Sequence, residues 1–410
     1  MQNMLEPERE LPLTLAKHVI ERQIRQLSLD VQSHWQGHPI GVARVELRGS
    51  SGIPIQGCGK GRPHQAQVGA LYEALEHFLD VHAERQVHLS TTDALQQSRH
   101  LQQDIVLPWL LAQPARALAC QAYCDHAGHW LFDYPLSLVR PDYDQSPMPG
   151  DTFDYRGLRR YSSNDGSAIG ASRDEAVLHA VNQKIERDAL SMFLLSHYYY
   201  RRQDPVRWLE KPDKTSALGM FWHQAEQSLQ APIHVVDISN DLPSPTYLAL
   251  RMDTLDKPHG MLFGAGASLD PWHAVHRAVS ELVQLQINGQ DPDTKADLEL
   301  AKRHLQPFPR LNRCIRLDLL PLLQAPQVSV TLPPPPDRMS VAEHLHLLLG
   351  QLHAQGHSVG ICEVFRGDEG VSLVNVVIPG LERFHVVTTG NAVCPGPRGA
   401  TLAPARKASA

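Results

Sequence analysis

Residues 162–189 read SSNDGSAIGASRDEAVLHAVNQKIERDA, and the fold is decided by how this stretch is read. A glycine-rich segment leads into a long helix, expected from about Arg173 to Tyr198. Within it Ala176 is followed after four residues by Ala180, after seven by Gln183 and after ten by Glu186. At roughly 100° per residue these offsets fall within about 120° of arc, so two small residues and two long polar ones share one face. Ile185 and Leu190 flank that face with apolar surface.

The same pattern occurs twice more. In GKGRPHQAQVGALYEALEHF (59–78) it is Ala66, Ala70, Glu73 and Glu76; in GAGASLDPWHAVHRAVSELVQ (264–284) it is Ala274, Ala278, Glu281 and Gln284. Glycines precede each run: Gly57, Gly59 and Gly61; Gly166 and Gly170; Gly264 and Gly266. A recurring spacing points to equivalent units. Helices are therefore expected at about 64–79 and 272–288. Alanines let neighbouring backbone come close, and acid or amide side chains three residues apart project side by side. Three such helices converging would build one polar cavity. Three ordinary solvated glutamate faces would carry the same spacing.

A carboxylate cluster facing one cavity has constrained chemistry. The charges repel unless a cation holds them, and oxygen-only ligands favour Mg²⁺ or Ca²⁺ over zinc. Mg²⁺ usually arrives with phosphate. Glycine-rich turns entering helices would supply backbone N–H groups for anions, and Lys60, Arg187 and Arg277 would supply cations. GCGKG (57–61) is not a P-loop, because no Ser or Thr follows the lysine.

At these residues the chain resembles the YcaO family. Segment 59–78 is similar to its GKG…A-x-x-S-A-L-x-E-x-x-E-R motif, 162–189 to its S-N-G-x-A-x-G…E-x-x-E-R-D motif, and 264–284 to its G-x-G…P-x-x-A-x-x-R-A-x-x-E-x-x-Q motif. NVVIPGLERF (375–384) resembles its closing strand and V-P-G-L-E. The resemblance implies an α/β, YcaO-type fold with mixed sheets and three equivalent motif helices around an ATP site. It implies that Lys60, Arg187, Arg277, Glu281 and Gln284 bind the nucleotide and that Glu73, Glu76, Gln183 and Glu186 hold Mg²⁺. It assigns no catalytic residue. The implied reaction is ATP-dependent activation of a peptide backbone amide. A Cys, Ser or Thr nucleophile gives an azoline, sulfide a thioamide and an amine an amidine. Three positions depart from the family pattern: Gly69 replaces serine, His77 replaces arginine and Gln183 replaces glutamate. The chain also ends LAPARKASA, without the proline-alternating tail of many azoline-forming members.

Composition is ordinary for a soluble globular protein. Of 410 residues 42% are hydrophobic and 20% charged, and the net charge of -6 argues against nucleic acid as a partner. No apolar run approaches the roughly 18 residues of a membrane span. Six scattered cysteines in so long a chain read as reduced thiols, and the expected location is cytoplasmic. Cys120, Cys124, His126 and His129 have the wrong spacing for structural zinc. Residues 1–36 read as an amphipathic helical extension carrying Leu15, Val19, Ile20, Ile24 and Leu27, residues 37–399 as the catalytic domain, and 400–410 as a mobile tail. The expected function is cyclodehydration of Cys, Ser or Thr in a ribosomally synthesised precursor peptide. A thioamide-forming enzyme and a non-catalytic nucleotide-binding scaffold are the alternatives. The expected partners are that peptide, a leader-binding protein, a flavin dehydrogenase in the same complex and a second copy of the chain.

Overall fold

The computed structural model describes residues 5–50, 52–251 and 262–404. The strands are β1 (Asp30–Gly37), β2 (Gly41–Arg48), β3 (Pro54–Gly61), β4 (Val87–Thr91), β5 (Ala117–Cys124), β6 (Trp130–Pro135), β7 (Ser167–Gly170), β8 (Val206–Leu209), β9 (Ile233–Asp237), β10 (Thr246–Arg251), β11 (Phe263–Ala267), β12 (Gln327–Val330), β13 (Gly360–Arg366) and β14 (Ser372–Val377). They form three sheets. The first has the order β1-β2-β3, the second β11-β10-β9-β8-β12, and the third β4-β5-β13-β14-β7 with β6 on β5. Pairing is antiparallel except for β8 with β12.

Each sheet ends in the same unit, a glycine-bearing strand followed by a motif helix. β3 leads into helix Pro63–His82, β7 into Arg173–Leu194 and β11 into Pro271–Asn288. The glycine–alanine pattern now has a cause. A Cβ on Gly59 would lie 1.8 Å from the Ala66 carbonyl oxygen, and one on Gly266 would lie 2.2 Å from that of Ala274. Ala66, Ala70, Ala176, Ala180, Ala274 and Ala278 are all fully buried. Strand and helix backbones therefore approach at distances that no other side chains allow.

This corrects one expectation. Gly57, Gly59, Gly264 and Gly266 lie inside strands, beneath helices, and are not anion-binding turns. The N–H groups at two of the three helix starts are also taken. Ser172 caps the second helix through Glu175 N, and Asp270 caps the third through Trp272 N and His273 N.

The N-terminal region differs as well. The helix spans only Leu13–Gln26, burying Val19, Ile20 and Ile24 while Leu15 faces solvent. Ser28 adopts φ 56°, which ends the helical path. Asp30–Gly37 then joins β2 as an edge strand in strict register, from Asp30↔Arg48 to Gly37↔Gly41. Cross-strand pairing overrides the helical periodicity there. Of the expected mobile tail, residues 405–410 lie outside the described residues. The segment just before it is held in place: Gly396 N and Gly399 N donate to the Glu382 carboxylate at 3.1 and 2.7 Å, and Arg398 Nε meets Asp188 at 2.8 Å. Among the described residues no helix is long and apolar enough to cross a membrane.

Candidate functional site

The three strand–helix units close on one another through their polar faces. Lys60 Nζ on β3 donates to Glu281 Oε2 on the third motif helix at 3.2 Å. Beside it Gln284 Nε2 donates to the Cys58 carbonyl at 2.7 Å. The first helix reaches the second unit, where Glu76 Oε2 accepts from Ile169 N at 3.0 Å. The second and third helices meet where Arg277 Nη2 stands 3.9 Å from Glu186 Oε2 and Arg277 Nη1 donates to His179 Nδ1 at 3.0 Å. Arg187 Nη1 lies 3.2 Å from Glu186 Oε1. Three carboxylates and three cations from all three units thus share one region.

Their electrostatics are those of a crowded anionic site. Burial pushes the Glu186 carboxyl up, and the charge of Glu281 adds to that push against Arg187, Arg277 and Lys60. Burial also raises Glu73 and Glu76, and the charge of Glu73 adds to the rise at Glu76. Glu281 goes the other way. Burial opposes its charge, but Lys60, Arg187 and Arg277 together hold it below the usual range. Burial drives the His179 ring well below its ordinary value, with Arg277 next, so it stays neutral and accepts the guanidinium hydrogen.

A divalent cation with phosphates fits these residues. Glu186 is only 2% exposed, and its Oε2 has no hydrogen-bond partner. An orphaned buried carboxylate oxygen is costly unless a cation or donor meets it. Among the described residues no three His, Cys, Asp or Glu form a ready-made cage. Mg²⁺ needs none, since one or two carboxylates with phosphates and waters suffice.

The residues read from the sequence occupy different shells. Lys60, Glu73, Glu186, Arg187, Arg277 and Glu281 form the inner group. Gln183 differs: its Oε1 accepts from Gly166 N at 2.6 Å, so the oxygen expected on metal holds the glycine turn. Gln284 commits its amide nitrogen to β3, which leaves its oxygen for another donor. His77 bonds the Gln56 carbonyl at 2.7 Å and braces the first helix on its strand. Gly69 has room, because an added Cβ would meet Gly59 Cα at 3.5 Å. The cysteine–histidine group does not gather: Cys120 is buried, His126 turns to Asp174 and His129 to Asp125.

Several residues at the site had no motif to announce them. Asp165, within the quoted segment 162–189, holds Arg187 Nε at 3.2 Å, and His385 holds Asp165 at 2.6 Å. Burial opposes the charge of Asp165, but His385, Arg187 and Lys184 hold its carboxyl well below the usual range. Glu8 reaches in from the N-terminal segment, accepting from Asn182 Nδ2 at 3.2 Å and from the Ser268 hydroxyl.

Known proteins share this arrangement of chain. The family model described as YcaO cyclodehydratase, ATP- and Mg²⁺-binding, matches residues 58–382. A relative from Methanothermobacter thermautotrophicus (strain Delta H), described as an uncharacterized protein, is 31% identical over 236 residues; the match covers 55% of this chain and 57% of the relative, little more than half its length. Among solved structures, a heterocyclase in complex with substrate and cofactor aligns with a TM-score of 0.66 at 18% identity, over 94% of this chain and 55% of that chain. YcaO from Methanopyrus kandleri, bound with AMPPCP and Mg²⁺, aligns with a TM-score of 0.63 at 19% identity, over 94% of this chain and 96% of that one. At such identities the structural likeness is one of fold.

Proposed function

The chain belongs to the YcaO family, and from that premise we propose that it activates backbone amides of a ribosomally synthesised peptide, cyclodehydrating Cys, Ser or Thr side chains to azolines. The family's cofactors are ATP and Mg²⁺. ATP, when bound, supplies the phosphoryl group that makes the amide oxygen a leaving group, and Mg²⁺ neutralises the phosphate charge. The chain's own residues would bind and orient. Lys60, Arg187 and Arg277, one from each unit, would present donors for phosphate oxygens. Glu186, Glu73 and Glu76 would hold the metal, with Glu281 kept ionised by Lys60 beside them. Gln183 supports this set by fixing the Gly166 turn, and Gln284 by fixing β3.

The observation that carries this reading is the buried Glu186 Oε2, which has no hydrogen-bond partner and stands 3.9 Å from Arg277 of the third unit. We assign the reaction to residues 37–399, wider than the matched segment. The solved heterocyclase carries nearly half of its length outside the aligned part. A separate leader-binding partner is the proposed counterpart of that length. A reducing cytoplasmic setting suits the six free cysteines.

The test combines the protein with Mg²⁺, ATP and a peptide rich in Cys, Ser and Thr. It follows released phosphate and peptide mass with and without a candidate leader-binding protein. Loss of one water per phosphate supports azoline formation. Exchange of oxygen for sulfur, only when sulfide is present, would replace it with the thioamide reading. Nucleotide binding without phosphate release would leave a scaffold.

A further inference from the structure

Arg187 is held from a side that the three-helix pattern does not explain. Its Nε donates to Asp165 Oδ1 at 3.2 Å while its Nη1 faces Glu186. The other Asp165 oxygen receives His385 Nε2 at 2.6 Å and the Ser163 hydroxyl. His385 lies on the turn Phe384–Thr389, after the closing strand, and its backbone N–H donates to Ser191 Oγ at 2.8 Å. The Ser191 hydroxyl also lies 3.3 Å from His385 Nδ1, so Ser191, His385 and Asp165 stand in the order of a nucleophilic triad. Ser191 is fully buried, however, and its hydroxyl donates to the Arg187 carbonyl at 2.7 Å, so it presents no nucleophile. The chain of contacts ends on Arg187.

The guanidinium is a planar fork, so fixing its Nε fixes where its two outer nitrogens point. Beneath Arg187 lies a cavity of about 10 Å³, also lined by Lys184, Glu382 and His385, with room for at most one water. The Nε is braced by Asp165. Both Asp165 oxygens are taken by protein partners, Oδ1 by Arg187 and Oδ2 by His385 and Ser163, so Asp165 acts on a ligand through Arg187.

We propose that Asp165 and His385 are positioning residues that aim Arg187 at a phosphate group of the bound nucleotide. Through them the loop 163–166 and the C-terminal turn set the affinity of the site. This rests on the nucleotide reading above.

The experiment is titration calorimetry of a non-hydrolysable ATP analogue with Mg²⁺, on wild type and the variants Arg187→Ala, Asp165→Asn, His385→Asn, Ser191→Ala and Asp165→Asn/Arg187→Ala, with a melting curve for each. Arg187→Ala is expected to weaken binding by about tenfold or more, the loss of a charge-assisted contact. Asp165→Asn should weaken it about tenfold and His385→Asn about threefold, while Ser191→Ala, which disturbs the same packing, binds like wild type. The double variant should bind no more weakly than Arg187→Ala alone, because residues acting through one group are not additive. Additive losses, or wild-type binding by Asp165→Asn beside a weakened Arg187→Ala, overturn the proposal. Wild-type binding by Arg187→Ala also overturns it, while the nucleotide reading stands because wild type still binds. If wild type binds no nucleotide, the reading itself falls. Should Asp165→Asn fail to fold, the cycle is run with His385→Asn and Arg187→Ala.

Discussion

Lys60 and Glu281 are 221 positions apart in the chain, and their side chains meet at 3.2 Å. The pair joins the strand of the first unit to the helix of the third. Glu281 stays ionised there because Lys60, Arg187 and Arg277 surround it, although burial opposes the charge. The same ring of cations is the proposed phosphate contact.

Arg277 lies one turn before Glu281 and is 18% exposed. Arg277→Ala is expected to cost roughly 1.5–3 kcal/mol in ATP use, the value of a charge-assisted contact. ATP titration of the variant beside its melting curve decides this. An unchanged Michaelis constant and rate, or a collapsed fold, would each count against the assignment.

Gln183 and Gly166 make the second test. A carboxylate at 183 can still accept the Gly166 N–H with one oxygen, now held at 2.6 Å by the amide, and turn the other toward Glu186. Gln183→Glu should therefore reach full activity at lower free Mg²⁺, since added carboxylate charge favours a hard cation. Superimposable magnesium curves would mean that position 183 lies outside the metal shell.

The strand–helix contact predicts opposite effects from two glycines. Gly59→Ala drives a methyl to 1.8 Å from the Ala66 oxygen and should destabilise by about 3 kcal/mol or more, the upper range for overpacking. Gly69→Ala has open van der Waals space and removes a mid-helix glycine, so a gain of about 0.5 kcal/mol is expected. Urea unfolding of both variants measures this. A tolerated Gly59→Ala would refute the close approach.

His276, whose ring centroid lies 4.0 Å from that of Phe221 with the planes tilted by 32°, gives a pH test. Burial, then Arg62, Arg277 and Lys60, lowers its pKa from the ordinary 6.5 to about 4. The unfolded chain then binds a proton that the folded chain refuses. The resulting stability is complete above about pH 6.5 and is lost as pH falls toward 4. His276→Phe should lose less melting temperature than wild type between pH 7 and pH 4.5, about the window given by that shift. Parallel losses would show that His276 takes no part.

The three motif helices were legible because helical spacing is local. Ala66, Ala70, Glu73 and Glu76 share a face whatever the rest of the chain does, and three repeats of that spacing identify equivalent units. The glycines were visible, but their role was not: whether Gly59 turns the chain or lies beneath a helix depends on tertiary packing. Asp165 and His385 stand 220 positions apart, and no periodicity links them. The Gln183 oxygen, expected on metal, accepts from Gly166 N, because an amide oxygen suits metal and a backbone N–H equally well. Residues 30–36 fall to the helical extension in the sequence because the apolar spacing through Leu27 is a local signal, while strand pairing with 41–48 is decided by a partner lying further on.

The central claim is that the buried carboxylate of Glu186 holds metal for a nucleotide between the three helices. Calorimetry of the non-hydrolysable ATP analogue against wild type and Glu186→Gln, with and without Mg²⁺, tests it most directly. The account predicts one Mg²⁺-dependent site in wild type and loss of that magnesium dependence in a folded Glu186→Gln. Equal, magnesium-dependent binding by both proteins would contradict it.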